Sequence, residues 1–408
     1  MQAGWRIGSI FGIPLLVDPS WFLILILYST VNGSDFYDRY AWGVPLAAIA
    51  GLLMALLLFG SVLLHELGHS LVARSQGIQV NSITLFMFGG VASIDRESKT
   101  PGQAFWVAVA GPAVSFMLFL LLGLLAAALS GTDSPVAVLA NTLSRINLVL
   151  AIFNLIPGLP LDGGQILKAL VWKVTGNRFK GIHWAAQAGQ VLGWLAVAFG
   201  LYITLSGGGG GLWIALLGWF CARNANAYDR LSVLQEALLE VTAGDAMVRE
   251  FRTVNGELTL RQFVENYLLE SDRPPYFAAA HGRYQGLVRP EALQTIERSR
   301  WDFQTVGDLA EPLDTVPTVR ETTPLATVVS DLERLRLGRL TVLSPADAVA
   351  GTVDRGDAVR AIAQKLGFRF SEADIRRIKT EGTYPPGLNL AAIAQTLDSA
   401  ELGASRSS

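Results

Sequence analysis

Over the first 228 positions apolar residues run in long unbroken blocks, whereas beyond them they alternate with charge at the spacing of a water-soluble α/β fold. At about 20 residues per crossing, the blocks near 14–31, 44–66, 104–129, 138–157, 185–205 and 211–226 predict six membrane-spanning helices. Asp18 and Pro19 interrupt the first block and put its helix start as late as Ser20, while Asn224 and Asn226 in the short sixth read as interfacial. Between the second and third blocks, 80–94 is apolar but broken at Gly89-Gly90, with β-branched residues in loose alternation. That pattern predicts a short β-hairpin, with a plain cytoplasmic connector as the alternative. A hairpin at membrane depth must be covered by protein or line a wet cavity, because lipid cannot satisfy an open strand edge.

The polar half repeats itself. Thr242-Ala-Gly-Asp-Ala-Met returns as Thr305-Val-Gly-Asp-Leu-Ala, and Gly286-Leu-Val-Arg-Pro-Glu-Ala-Leu corresponds to Gly351-Thr-Val-Asp-Arg-Gly-Asp-Ala-Val, at offsets of 63 and 65 residues. Two copies of a small α/β unit follow, at 242–300 and 301–368, after a linker at 229–241. The remainder, 369–408, is helix-prone in the first third after Ser371 and then rich in Ala, Gly and Ser, and reads as a loosely ordered tail.

Composition sharpens the division. Only 19 of the 66 charged residues fall in positions 1–228, and the other 47 lie in the last 180. A net charge of -2 supplies no basic field for nucleic acid, so none is expected as a partner. One cysteine, Cys221, excludes an internal disulfide and a cysteine-rich metal site, so a metal would need His and carboxylate ligands. No charged stretch, short apolar core and cleavage site open the chain, and 21–31 reads as a retained span. Basic residues at alternate ends of the spans number ten (Arg6; Arg74, Arg96, Lys99; Lys168, Lys173, Arg178, Lys180; Arg223, Arg230) against two opposite, Arg39 and Arg145. Both termini and the polar half are therefore expected on the cytoplasmic side of the cell membrane. The glycine run at 207–211 lacks a following Lys-Ser or Lys-Thr and reads as a turn, not a phosphate loop.

Chemistry concentrates in His65-Glu66-Leu67-Gly68-His69, at the end of the second span. Positions i and i+4 share a helix face, so two imidazoles can grip one zinc ion while Glu66 takes a proton from the attacking water. A carboxylate inside an apolar span costs about 2.5–3.5 kcal/mol even on lenient scales, which demands a functional reason. The alternative is that these groups solvate a helix end. His183 and His281 lack partner spacing and read as surface or packing residues. A hydrolytic zinc needs a third protein ligand and an open position. The sequence offers Asp162, the one acid between Asp133 and Asp229, following Asn154-Leu-Ile-Pro157-Gly-Leu-Pro160-Leu. Two prolines break the span there, which is tolerable only beside a cavity or another protein segment. Capping of the helix that begins near Gly163 is the alternative role for Asp162.

These residues, with Gly-Gly-Val-Ala at 89–92 and Asn-Leu-Ile-Pro-Gly-Leu-Pro-Leu-Asp-Gly-Gly at 154–164, resemble the site-2 protease family of intramembrane zinc metalloproteases over roughly 1–228. The resemblance implies that His65, His69 and Asp162 bind one zinc, that Glu66 is the general base and that Asn154 binds the substrate peptide. Ala110-Gly111-Pro112-Ala-Val-Ser115 departs from it, since many members carry Asn where Ser115 stands, which puts a secondary hydrogen bond in question. No segment looks like a PDZ domain. The repeat resembles a tandem pair of cystathionine-β-synthase (CBS) domains, a fold that often binds adenine nucleotides and regulates its neighbour. Asp354 and Asp357 of the second copy match the family's ribose-side pattern in part, and the first copy has Arg289, Pro290 and Glu291 instead.

The expected molecule is a polytopic α-helical membrane domain of about six spans with a short β-hairpin, followed by a soluble α/β tandem CBS pair. It would cleave membrane-spanning proteins within the lipid bilayer, with adenine nucleotide binding or homodimer formation at the CBS pair. A transporter or metal-conducting protein would more often show paired broken helices in two halves, and only one break is present, near Pro157. An inactive scaffold would not need Glu66.

Overall fold

The computed structural model describes residues 4–87, 89–94, 98–129, 134–268, 275–385 and 388–405; Arg96, counted above for orientation, lies outside them. The chain forms two compact units, Met1–Ser232 and Val233–Ser408.

The first unit opens with two antiparallel strands, β1 (Trp5–Ile10) and β2 (Ile13–Val17), before α1 (Pro19–Tyr40). Residues 14–17, counted from their apolarity as part of a first span, are thus strand. The helix begins only at Pro19, where the Asp18 carboxylate caps it by accepting from the Ser20 N–H at 2.9 Å. After α2 (Val44–Ser75) come β3 (Val80–Phe86) and β4 (Gly89–Ile94), which pair antiparallel. β3 also lies parallel to β2, Ile83 opposite Leu15, so the sheet has four strands in the order β1-β2-β3-β4 and uses α1 and α2 as its crossover. Its buried Ile13, Leu15 and Ile83 pack on Leu67 of α2, and this seats the sheet over the last turns of that helix.

The rest of the unit is helical: α3 (Pro101–Ala128), α4 (Pro135–Asn154), α5 (Asp162–Thr175), α6 (Arg178–Leu205) and α7 (Gly211–Glu240). Four of these helices, α2, α3, α4 and α6, are long and apolar enough to cross a membrane. Their outward residues are large and apolar, among them Phe116, Leu124, Trp194 and Phe199, as lipid contact requires. Small residues let the helices approach: a Cβ on Gly51 of α2 would lie 2.7 Å from the Gly33 nitrogen of α1. At about 1.5 Å per residue α2 is roughly 48 Å long and places His65 about 32 Å from its start.

The second unit is built from the repeat. It contains α8 (Ala243–Ala246), β5 (Arg252–Asn255), α9 (Leu260–Phe263), β6 (Tyr276–Ala280), β7 (Arg283–Val288), α10 (Val306–Leu309), β8 (Glu311–Pro312), β9 (Thr318–Arg320), α11 (Leu325–Arg334), β10 (Arg339–Leu343), β11 (Val349–Asp354), α12 (Arg355–Lys365), α13 (Glu372–Glu381) and α14 (Leu390–Ser405). Two sheets form, β5-β6-β7-β8 and β11-β10-β9. The lead segments are exchanged between copies. Ala243 and Ala246 of α8 pack in the core around β10, β11 and α12, whereas Val306 of α10 packs with Val254, Phe263 and Tyr276. Both short helices carry the same reciprocal cap, Thr242 with Asp245 and Thr305 with Asp308. In the stretch after 368 the helix-prone third forms α13, and the part read as a loosely ordered tail folds into α14. Ile375, Ile378, Leu390, Ala394 and Leu397 are buried in the same core as α11 and α12, so its small residues serve close packing.

Candidate metal centre

His65 and His69 sit one turn apart on α2 and are buried, at 4% and 8% exposure, in the interior of a helix that continues to Ser75. They therefore do not solvate a helix end. Asp162 arrives from the opposite direction. After α4 ends at Asn154, the chain turns through Leu155–Leu161 and enters α5 at Asp162. The turn is pinned to α6, where the Leu159 N–H donates to the Ala185 carbonyl at 3.1 Å and Leu159 packs with Ile182, Ala185 and Ala186. Gly163 makes the return possible, because a Cβ there would collide with the Leu155 and Ile156 carbonyls. The residue capping α5 is Leu161, which makes no side-chain cap bond. The Asp162 carboxylate is spent on the imidazoles instead.

Three donor atoms converge: His65 Nε2 to Asp162 Oδ2 is 3.0 Å, His69 Nε2 to Asp162 Oδ2 is 3.3 Å, and the two Nε2 atoms are 3.2 Å apart. Among the described residues these three alone form a His/Cys/Asp/Glu group able to hold a metal ion. The spacing agrees with the edges of a tetrahedron, about 3.3–3.4 Å for arms of about 2.0–2.1 Å to zinc. The far side of each ring has a fixed partner, and for His69 that partner sets the tautomer. His69 Nδ1 lies 2.7 Å from the Val107 carbonyl oxygen, which can only accept, so Nδ1 carries the proton and Nε2 the lone pair. His65 Nδ1 lies 2.9 Å from Ser115 Oγ, a hydroxyl that can donate or accept and holds that ring in place. With His65 also protonated at Nδ1, three lone pairs face one another, and a divalent cation relieves all three together. The residues present therefore fit zinc.

α3 supplies the wall of the site. Pro112 has no N–H to give the Ala108 carbonyl one turn earlier, next to the Val107 carbonyl that accepts from His69. Gly111 lies against both rings: a Cβ there would stand 2.6 Å from His65 Nε2 and collide with His69 Nε2. Ser115, where a secondary hydrogen bond was in question, makes that bond itself. Its partner is tertiary, and the identity of the residue alone does not reveal it. Val107 and Gly111 carry no signal by residue type and were not foreseen. Glu66 follows His65 and is half-buried, facing β4, and Asn154 is half-buried at the last position of α4. Elsewhere His183, read as a surface or packing residue, bridges α6 to α7 through Asp229 at 2.8 Å, and His281 is exposed.

A family model described as Peptidase family M50 matches residues 53–145 and 130–196. A putative zinc metalloprotease from Synechocystis sp. is 42% identical over 371 residues, covering 89% of this chain and 96% of its own. The solved site-2 protease from Methanocaldococcus jannaschii is 30% identical, with a TM-score of 0.40, over 56% of this chain and 95% of its own. The CBS domain of a bacterial CNNM/CorC family Mg2+ transporter in complex with ATP is 18% identical, with a TM-score of 0.29, over 35% of this chain and 99% of its own.

Proposed function

The chain belongs to peptidase family M50, the site-2 protease family of zinc metalloendopeptidases, and from that premise we propose that His65, His69 and Asp162 hold one zinc ion and that Glu66 is the general base for cleaving a peptide bond inside a membrane-spanning segment. The observation that carries the assignment is the convergence of two α2 imidazoles and the α5 carboxylate within an apolar helical unit. Bound there, zinc supplies Lewis acidity, polarising both the attacking water and the scissile carbonyl. Glu66 accepts the proton of that water and returns it to the leaving amine. Ser115 and the Val107 carbonyl keep the imidazoles turned to the ion.

A helical substrate hides its carbonyls in its own hydrogen bonds and must unwind before attack. β4, last in the sheet order, has no further strand beside it among the described residues, so an unwound segment can add there, with Glu66 against the face of Gly90. Asn154, at the end of α4, is assigned to hydrogen-bond that segment.

In the membrane, α1 and the first part of α7 supply the two crossings beyond the four most apolar helices. The excess of Lys and Arg at one side puts both termini and the C-terminal unit in the cytoplasm. Residues 1–228 form the protease domain and 229–241, the helical end of α7, the connection. Residues 242–368 form a CBS pair (242–300 and 301–368), a reading supported by the repeat and its exchanged lead segments. That pair is the regulatory module, a place for an adenine nucleotide or a second copy of the chain.

The test uses full-length protein and a membrane-spanning substrate. Glu66→Gln is expected to retain one zinc per chain and to lose cleavage by about 10²–10⁴-fold. Equal cleavage by the variant removes Glu66 as base, and ion flux in liposomes without cleavage replaces the protease by a transporter. Calorimetric titration with ATP and AMP decides the nucleotide, and absence of heat removes it.

A further inference from the structure

We propose that strand β4 aims the catalytic base: Gly90 is a positioning residue for Glu66, so the strand that receives the substrate also fixes the group that activates water. The inference rests on the assignment of Glu66 as general base and adds what directs it.

Glu66 needs directing. Each imidazole has a fixed partner behind it, Ser115 for His65 and the Val107 carbonyl for His69. A glutamate has three side-chain torsions, and α2 constrains only the first of them strongly. β4 limits the rest. A Cβ built on Gly90 would stand 2.6 Å from Glu66 Cγ and 3.3 Å from its carboxyl carbon, so the side-chain stem lies flat on the Gly90 backbone. Val62, one turn earlier on α2, approaches the same point at 3.4 Å and narrows the slot. Val91, the next residue along β4, is exposed, as the alternation of a strand requires. The strand cannot drift from the helix, because the sheet is seated on Leu67, the residue after Glu66, through Ile13, Leu15 and Ile83.

The geometry gives Gly90 a reason that its torsions do not. Its neighbour Gly89 has φ of +137°, a conformation that favours glycine, whereas Gly90 has no such requirement and is small because Glu66 occupies the place of a side chain. Displacing a general base by about 1 Å can cost on the order of 10²-fold. An added methyl at Gly90 forces a displacement of that order.

Gly90→Ala in the full-length protein is the experiment, assayed with the membrane-spanning substrate alongside zinc content. The expected result is a kcat lower by about 10²-fold, with KM and zinc stoichiometry unchanged. In the Glu66→Gln background the same substitution should cost nothing more, because the group it displaces is already gone. Unchanged kcat in Gly90→Ala, loss of its zinc, or a further loss in the Glu66→Gln background overturns the proposal while leaving the base assignment intact. Full activity of Glu66→Gln itself would overturn both, so the two failures are told apart by that single variant.

Discussion

One missing methyl group keeps α3 out of the metal site. On Gly111 it would stand 2.6 Å from His65 Nε2 and collide with His69 Nε2, the two atoms assigned to the ion. Gly111→Ala is therefore expected to weaken zinc binding at least as much as loss of a supporting contact does, tenfold or more. Alanine suits a helix better than glycine, so helical content should not fall. Competition against a chromophoric chelator, with circular dichroism on the same sample, checks both halves, and full-affinity zinc binding would contradict the assigned donor atoms. The His65, His69 and Asp162 cluster was legible in the chain because polar groups in apolar spans demand a reason and the helix period pairs the two imidazoles. Gly111 and the Val107 carbonyl were not, since a small residue and a backbone oxygen acquire their roles only from what packs opposite.

At the level of elements, the turn between α4 and α5 decides whether a ligand from α5 can meet two from α2. Its prolines were readable as a break, but its direction depends on close backbone approaches that leave no periodic trace. Gly163 makes two of these at once, because a side chain there meets two carbonyls of the chain's own preceding turn, Leu155 and Ile156. Gly163→Ala should destabilise the membrane unit by about 1–3 kcal/mol, the usual cost of overpacking, and lower zinc content together with it as Asp162 is carried away. Thermal unfolding and metal analysis measure the two effects, and a variant with wild-type values for both would refute the account of the turn. Other elements escaped the pattern for related reasons. β2 continues the apolarity of α1, so hydrophobicity did not separate strand from span, and only the cap at Asp18 does. α14 has the Ala and Ser content of a solvated tail, yet Leu390, Ala394 and Leu397 recur at helical spacing and are buried against the second copy. The exchange of α8 and α10 between copies was invisible, because a repeat identifies equivalent segments without saying which copy each packs against.

Across the whole molecule charge is partitioned, with 47 of 66 charged residues beyond position 228, and the pH response of the C-terminal unit follows from a few carboxylates there. Asp357 is 2% exposed on α12, and burial together with the adjacent Asp354 carboxylate pushes it up to about 6, although Lys379 of α13 lies against it and opposes the shift. An acid whose pKa is raised on folding favours the folded state while protonated. Its contribution is complete below the unfolded value near 3.8 and is lost as pH rises through about 6. The capping carboxylates Asp245 and Asp308 act in the opposite sense, held below the usual range by the Thr242 and Thr305 backbone and hydroxyl groups, but both are exposed and weak. The Asp357 contribution, on the order of 2–3 kcal/mol at about 1.36 per pKa unit, should therefore decide the sign around α12. In the full-length protein, amide-exchange protection of α12, corrected for intrinsic exchange, should fall as pH rises from about 4 to about 6. Asp357→Asn, which cannot titrate, should flatten that slope while the Asp245 and Asp308 terms remain. Protection that climbs with pH over this window in the wild type, or an equal slope in the variant, would mean that Lys379 outweighs burial and that the carboxylate is ionised throughout.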